Sequence, residues 1–315
     1  MNNSRILSID EIRKLVQTIL APAKGDGELA ASALIQAEIL GHKKFGLRSL
    51  SELKEGSSFG SIEVIAEREA MCLLDASMCF GPVAMAKASR EAVELASRAG
   101  IGLIGLKGVK FIGCIGPYVK AIAKQGLFGL AMTHGPPMVA PEGSISPIIG
   151  TNPIAYAAPS LSEPVVADFA TSQITMAAVA HARETGMPLP EGSALDSKGE
   201  LTRDPERVNA LKPFNGIKGY LVGLWVELFV GAMLGERSQS EGRGALVMAI
   251  DQELMGSTDA AEQVEALSEE IRSSNALMPG DNAKDRVKKA HDIGHIELDE
   301  EVVNLLNDLV EDLRV

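Results

Sequence analysis

Four short apolar runs in the middle of the chain constrain its fold more than any other feature. Residues 101–106, 127–132, 148–157 and 164–169 are each bounded by Gly or Pro, the pattern of buried strands. Between the first two, Tyr118 to Gln125 reads as a helix. Ahead of them, Ala-rich text from Pro82 to Arg98 reads as another helix, stopped by Gly100. Strand, helix and strand in succession predict an α/β sheet.

The flanking segments read as follows. Ser8 followed by Glu11 forms a capping box, with Ile9, Ile12, Leu15, Val16 and Ile19 recurring at helical spacing. A second helix is expected from Glu28 to Leu40, with Asp26 as its cap. Residues 186–215, rich in Pro, Gly and charge, read as a long ordered loop. The apolar run from Gly219 to Gly235 is just short of the ~20 residues that span a bilayer. Glu227 sits in its middle, so it is expected to be a buried helix. Residues 236–245 read as a polar linker. Beyond it a strand is expected at 245–250, a helix at 259–274, a turn at 278–283 and two further helices.

With 315 residues the chain has room for about two domains of roughly 150 each, or one large one. Aromatics make up only 4%, so aliphatic residues must fill the core. Thirty Lys and Arg against 42 Asp and Glu give a charge of -12, which argues against nucleic acid as a partner. No membrane contact is expected. Cys72, Cys79 and Cys114 show no zinc-ligand spacing, so no metal is expected. Reduced thiols and a start (MNNSRILSIDEIRKL) without signal-peptide character point to the cytoplasm.

Few motifs carry chemistry by spacing alone. GIGLIG, Gly100 to Gly105, matches GxGxxG. However, a helix ends there and a strand follows, the reverse of a dinucleotide-binding turn. His134 lies in a Pro-rich loop, THGPPMVAPEG, where functional groups concentrate. Asp168 ends an apolar strand, a position that fits either a ligand contact or the cap of the next helix. Lys218 opens the long apolar run and fits a snorkelling helix-end lysine equally well.

Longer motifs add to this. GTNPIAYAAP (150–159) followed by VVADFATS (165–172) resembles the malate/L-lactate dehydrogenase family of the non-Rossmann kind. This family includes sulfolactate, ureidoglycolate and diketogulonate dehydrogenases and cyclic ketimine carboxylate reductases. The resemblance continues through residues 188–205, 211–236 and 278–298, in the same order. It implies a mixed-sheet α/β fold unlike the doubly wound dinucleotide fold, with helical N- and C-terminal parts. Residues 1–75 and 236–315 would form a substrate-side and dimerisation domain, and 76–235 a nicotinamide-cofactor-binding domain. The implied assembly is a homodimer with each site at the subunit interface.

The resemblance also implies NAD or NADP as cofactor and a small carboxylate as substrate. Cofactor contacts carried over are Thr133, Gly135, Asn152, Asp168, Phe169, Ala170, Thr171, Ser172, Lys218, Gly280 and Asp281. Family members carry SHGxxR near the start, whose Arg holds the substrate carboxylate. Here that stretch is Lys44-Phe45-Gly46-Leu47-Arg48, one residue shorter between Gly and Arg; Arg48 is taken for the motif Arg, and Phe45 replaces the His. Members carry SNHFG further on, and here the text is Val109-Lys110-Phe111-Ile112-Gly113. Both usual proton-handling histidines are Phe, which cannot donate a proton. Lys44, Lys110 and His134 are the candidate replacements. The expected function is NAD(P)H-dependent reduction of a cyclic ketimine 2-carboxylate or a 2-oxo acid, with C=N favoured over C=O. The alternative is a catalytically degenerate member kept as a binding or structural partner.

Overall fold

A computed structural model of the chain describes residues 4–59, 62–235 and 243–313. The linker expected at 236–245 and the domain boundary expected at 236 fall largely outside these residues. The elements in order are β1 (Ser4–Ser8), α1 (Ile9–Leu20), α2 (Lys24–Ile39), β2 (Glu63–Arg68), β3 (Met71–Asp75), α3 (Gly81–Ala99) and β4 (Ile101–Val109). Then come α4 (Gly116–Ala123), β5 (Phe128–Thr133), β6 (Ile154–Ala158), β7 (Val165–Phe169), α5 (Met176–Thr185), β8 (Ala194–Leu195), β9 (Leu201–Thr202) and β10 (Ala210–Leu211). The remainder is α6 (Ile217–Val226), β11 (Arg243–Ile250), α7 (Ala260–Ser273), α8 (Asp281–Ile293), β12 (His295–Asp299) and α9 (Glu300–Asp312).

Seven strands form one mixed sheet in the order β2-β3-β4-β11-β5-β6-β7. Only β3 and β4 run parallel; every other neighbouring pair is antiparallel. This is the mixed α/β sheet expected. β11 pairs on both sides, and Ala245, Val247 and Ala249 are fully buried. Strands from before residue 76 (β2 and β3) and after 236 (β11) share this sheet with strands from the middle of the chain. The main core lies where α1, α2, α3, α4 and α9 meet it, around Leu74, Phe80, Met85, Ile104 and Tyr118.

Several expectations need correction. β1 pairs antiparallel with β12, Ser4 opposite Asp299 and Ser8 opposite His295. Neither strand was expected, because five mixed polar residues carry no clear period-2 signal. α2 begins at Lys24, and Asp26 caps nothing; both its oxygens accept from Arg90 of α3, at 3.0 and 3.1 Å. Of the run 148–157, only residues from Ile154 onward are strand. The loop at 186–215 carries the small sheet β10-β8-β9.

The largest correction concerns the apolar run. α6 continues as a π-helical segment, Glu227–Ala232. Val226 and Val230 pack with Met132, Ile154 and Leu246 of the sheet. The opposite face, with Leu221, Leu228 and Phe229 about half exposed, is uncovered. No helix among the described residues is long and apolar enough to cross a membrane.

Candidate active site

Two cavities meet beside the end of β7. The larger, about 710 Å³, is bordered by Gly116, Lys120, Gly280, Lys284 and Lys288. The smaller, about 620 Å³, is bordered by Lys44, Phe45, Arg48, Glu52, Phe111, Thr133, His134, Gly135, Ala170 and Arg243. His42, Cys114, Asp168 and Phe169 line both. These are volumes typical of cofactor and substrate pockets.

Local chemistry fixes the walls. The segment carrying Phe45, Arg48 and Glu52 is a pair of tight turns, Lys43–Phe45 and Leu47–Leu53. Buried Glu38 anchors it by accepting from the Leu47 N–H at 3.0 Å, and the Ser49 hydroxyl donates to the Gly46 carbonyl at 2.7 Å. The loop after β5 is stitched to β11. The His134 N–H and the Thr133 hydroxyl both donate to the Gly244 carbonyl, at 3.2 and 2.8 Å. The Phe45 and Phe111 rings stack at 5.9 Å between centroids, 22° from parallel. The two residues that the resemblance sets at histidine positions therefore stack against each other on one cavity wall.

The charged groups divide sharply. Oδ2 of Asp168 accepts from the Ile115 and Gly116 N–H groups at 3.0 and 2.8 Å, so this carboxylate caps the start of α4. Asp168 borders open cavity space, yet the crowding around its carboxyl raises its pKa, opposed by the two amides. Asp281 takes two hydrogen bonds from Arg272, at 2.9 and 3.2 Å, and one from the Met278 N–H at 3.0 Å. Those contacts hold its pKa low, Arg272 most of all. Neighbouring Gly280 has φ +87°, a conformation that costs a side-chain-bearing residue about 1–2 kcal/mol. A Cβ there would also stand 3.1 Å from the Val166 carbonyl.

Arg48 borders the smaller cavity, but its Nη2 lies 3.1 Å from Asp299 and 3.8 Å from Glu301. Those two carboxylates engage its guanidinium in this arrangement. Lys44 stands exposed at the rim. Lys110 is outside the lining, and its carbonyl accepts from Nε of Arg243 at 3.0 Å. Asn152 is fully buried and serves the fold. Its Nδ2 donates to Glu227 Oε1 and to the Gly223 carbonyl, both at 3.0 Å. Glu227 also accepts from the Gly150 N–H, which explains a carboxylate inside an apolar run. The Thr171 and Ser172 hydroxyls donate to the Thr151 and Ile174 carbonyls. Thr171, Ser172 and Lys218 border neither cavity.

Two groups in the smaller cavity escaped sequence reasoning. Arg243 opens β11, and its Nη1 would lie 2.7 Å from a Cβ at Gly135. A side chain there would push the guanidinium aside. Burial works against the Arg243 charge and Glu52 supports it. Glu52 has its Oε2 buried with no hydrogen-bond partner among the described residues. Burial pushes its carboxyl up to about 7, with Glu55 adding and Arg243 and Lys110 opposing. In sequence, Arg243 falls within the polar linker expected at 236–245 and Glu52 within an unremarked polar stretch, so neither stood out.

Comparisons with known proteins agree with this architecture. The profile of a family described as malate/L-lactate dehydrogenase matches residues 7–307. A malate/(S)-sulfolactate dehydrogenase of Methanothermus fervidus is 29% identical, over 98% of each chain. A Delta(1)-pyrroline-2-carboxylate/Delta(1)-piperideine-2-carboxylate reductase of Pseudomonas syringae is 31% identical, over 74% of this chain and 73% of its own. The solved sulfolactate dehydrogenase of Methanocaldococcus jannaschii superposes with a TM-score of 0.84 at 25% identity, covering 99% of this chain and 98% of that one. By sequence and overall superposition, the chain belongs to the malate/L-lactate dehydrogenase family.

Proposed function

We propose that this chain uses NADH or NADPH to reduce the C=N or C=O bond beside the carboxylate of a small substrate. NAD(P)-dependent oxidoreduction of small carboxylates is the chemistry of its family. The observation that carries the reading is the pair of cavities meeting at Asp168 and Phe169.

The larger cavity fits a dinucleotide. α8 starts there with Gly280 at its N-cap and no side-chain cap on its first amides, and Lys284 and Lys288 share that wall. Helix amides and lysines together suit a diphosphate. When bound, the nicotinamide supplies the hydride. Asp168 and Asp281 act indirectly, holding the α4 start and the 278–281 turn. Arg243, with Nε fixed on the Lys110 carbonyl, is the group we assign to the substrate carboxylate, in place of Arg48.

We favour C=N over C=O as the reducible bond. The stacked Phe45 and Phe111 supply no proton but suit a cation, whose charge their π faces attract. A C=N nitrogen, once protonated, accepts hydride to give a neutral amine and needs no second proton. Among relatives, a reductase named for two cyclic imine carboxylates supports this reading.

A panel of 2-oxo acids and cyclic imine carboxylates, followed by loss of reduced-cofactor absorbance, tests the function. Faster turnover of the oxo acids would reverse the preference. Failure of every member, with the dinucleotide still bound, would favour the degenerate-member alternative. A dinucleotide at 100 times its Kd stabilises the fold by about 2.7 kcal/mol, which a melting experiment reads directly.

We further propose a homodimer. The uncovered face of α6 and its π segment, with Leu221, Trp225, Leu228, Phe229 and Met233, supports it. Light scattering should then give twice the 33.3 kDa chain mass. Three free thiols support a reducing, cytoplasmic setting.

A further inference from the structure

Glu52 borders the smaller cavity with Phe45, Phe111 and Arg243. Its Oε2 is buried and accepts no hydrogen bond among the described residues. A carboxylate left so is costly, which favours the protonated acid in a residue that borders the cavity. We propose that Glu52 delivers the proton to the heteroatom of the reducible bond, the task that Phe45 and Phe111 cannot perform. This rests on the reductase reading above and adds the group that reading lacked.

The balance is simple. The substrate carbon gains a hydride from the reduced nicotinamide, forming a C–H bond. The C=X π pair moves to the heteroatom, the Glu52 O–H bond breaks and an X–H bond forms. Glu52 is left as a carboxylate beside Arg243 and takes a proton back from water through the cavity mouth. With a cyclic imine the same transfer comes first. The nitrogen takes the Glu52 proton, and the iminium then faces the Glu52 carboxylate across the aromatic pair. One residue thus serves both substrate classes.

The surroundings agree. Glu55 lies on the adjoining turn, Arg243 enters from β11 and Lys110 from the end of β4. Lys44, Arg48, His42 and His134 border the same cavity. Burial, with Glu55 adding and Arg243 and Lys110 opposing, leaves the carboxyl at about 7. A general acid works best with a pKa near the working pH.

The test compares wild type with Glu52→Gln and Glu52→Asp. In cofactor-free protein, the infrared band of a protonated carboxyl should titrate near neutrality and vanish in the Gln variant. With cofactor and substrate, Glu52→Gln should lower kcat by about 10²–10⁴-fold. It should also abolish the alkaline limb of the pH profile, while keeping the dinucleotide-induced rise in Tm. The Asp variant should restore part of kcat with a displaced limb. A Gln variant with wild-type kcat overturns the proposal, as does wild-type turnover without a titrating band. If the Gln variant folds poorly, the Asp variant decides, and an unmoved limb overturns the role. Turnover of neither substrate class by wild type overturns the reductase reading and this step with it.

Discussion

The two cavities use their charged groups in opposite ways. Around the larger, Asp168 on its wall holds two amides of α4, and Asp281, next to the lining Gly280, holds Arg272 and the Met278 amide. On the smaller, Glu52 has a buried oxygen without a hydrogen bond, and Arg243 is desolvated beside it. The first arrangement fixes a shape, and the second stores reactivity. Binding a large cofactor needs pre-set backbone amides. Moving a proton needs a group whose two charge states lie close in free energy.

The largest expected effect falls on the smaller cavity. Removing one partner of a buried charge-assisted contact costs about 2–5 kcal/mol. Arg243→Met should therefore lower kcat/KM by about 10²-fold or more, mainly through a raised substrate KM. Arg48→Met should do less, because Arg48 already faces Asp299 and Glu301. Steady-state kinetics on both variants checks the ranking. A larger loss from Arg48→Met would return the carboxylate to Arg48 and erase the contrast.

The next effect falls on the larger cavity and concerns stability. Asp168→Ala strands the Ile115 and Gly116 amides. A stranded polar group costs about 1–3 kcal/mol, so Tm should fall by roughly 5 °C. Scanning fluorimetry without cofactor reads this. An unchanged Tm with lost dinucleotide binding would make Asp168 a direct ligand contact instead of a brace.

A smaller effect is expected at Gly280. Alanine must adopt φ +87° close to the Val166 carbonyl. A cost of about 1–2 kcal/mol should lower Tm by a few degrees and weaken the dinucleotide-induced shift. Full tolerance of Gly280→Ala would mean that the turn adjusts and is not a pre-set cradle.

The contrast also explains what was legible in the sequence. Groups spent on local structure leave a local signature. The Ser8–Glu11 capping box forms as read, with the Glu11 N–H on the Ser8 hydroxyl at 3.1 Å. Gly100 ends α3, and the strands at 101, 127, 164 and 245 lie within about two residues of their expected starts. Groups whose meaning is long-range leave none. Asp26 reads as a cap but meets Arg90, 64 positions away. β1 and β12 meet across almost the whole chain. Glu52 is one charge in a polar turn until Arg243, from the far side of the sequence, arrives beside it. Some residues named from the motifs, such as Asp168, Phe169 and Gly280, border the cavities and others do not, and the motifs did not say which carboxylates were already engaged.

The smallest expected effect probes the contrast most directly, through pH. Glu52 has an ordinary pKa of 4.5 when the chain is unfolded and about 7 when it is folded. Between those values the folded state keeps a proton that the unfolded state has released, so stability falls as pH rises through that window. Below it nothing is lost, and above it the penalty is complete. Glutamine is neutral throughout. Glu52→Gln should therefore match wild type near about pH 5 and melt higher near about pH 8. Because the side chain is only partly enclosed, solvent screening reduces the gain to roughly 2 °C. The sign of the difference matters more than its size. A catalytic acid held against its solvation preference should stabilise the protein when it is replaced, even as kcat collapses. If Glu52→Gln instead lowers Tm near about pH 8, Glu52 is an ionised partner of Arg243. Both cavities would then spend their carboxylates on structure.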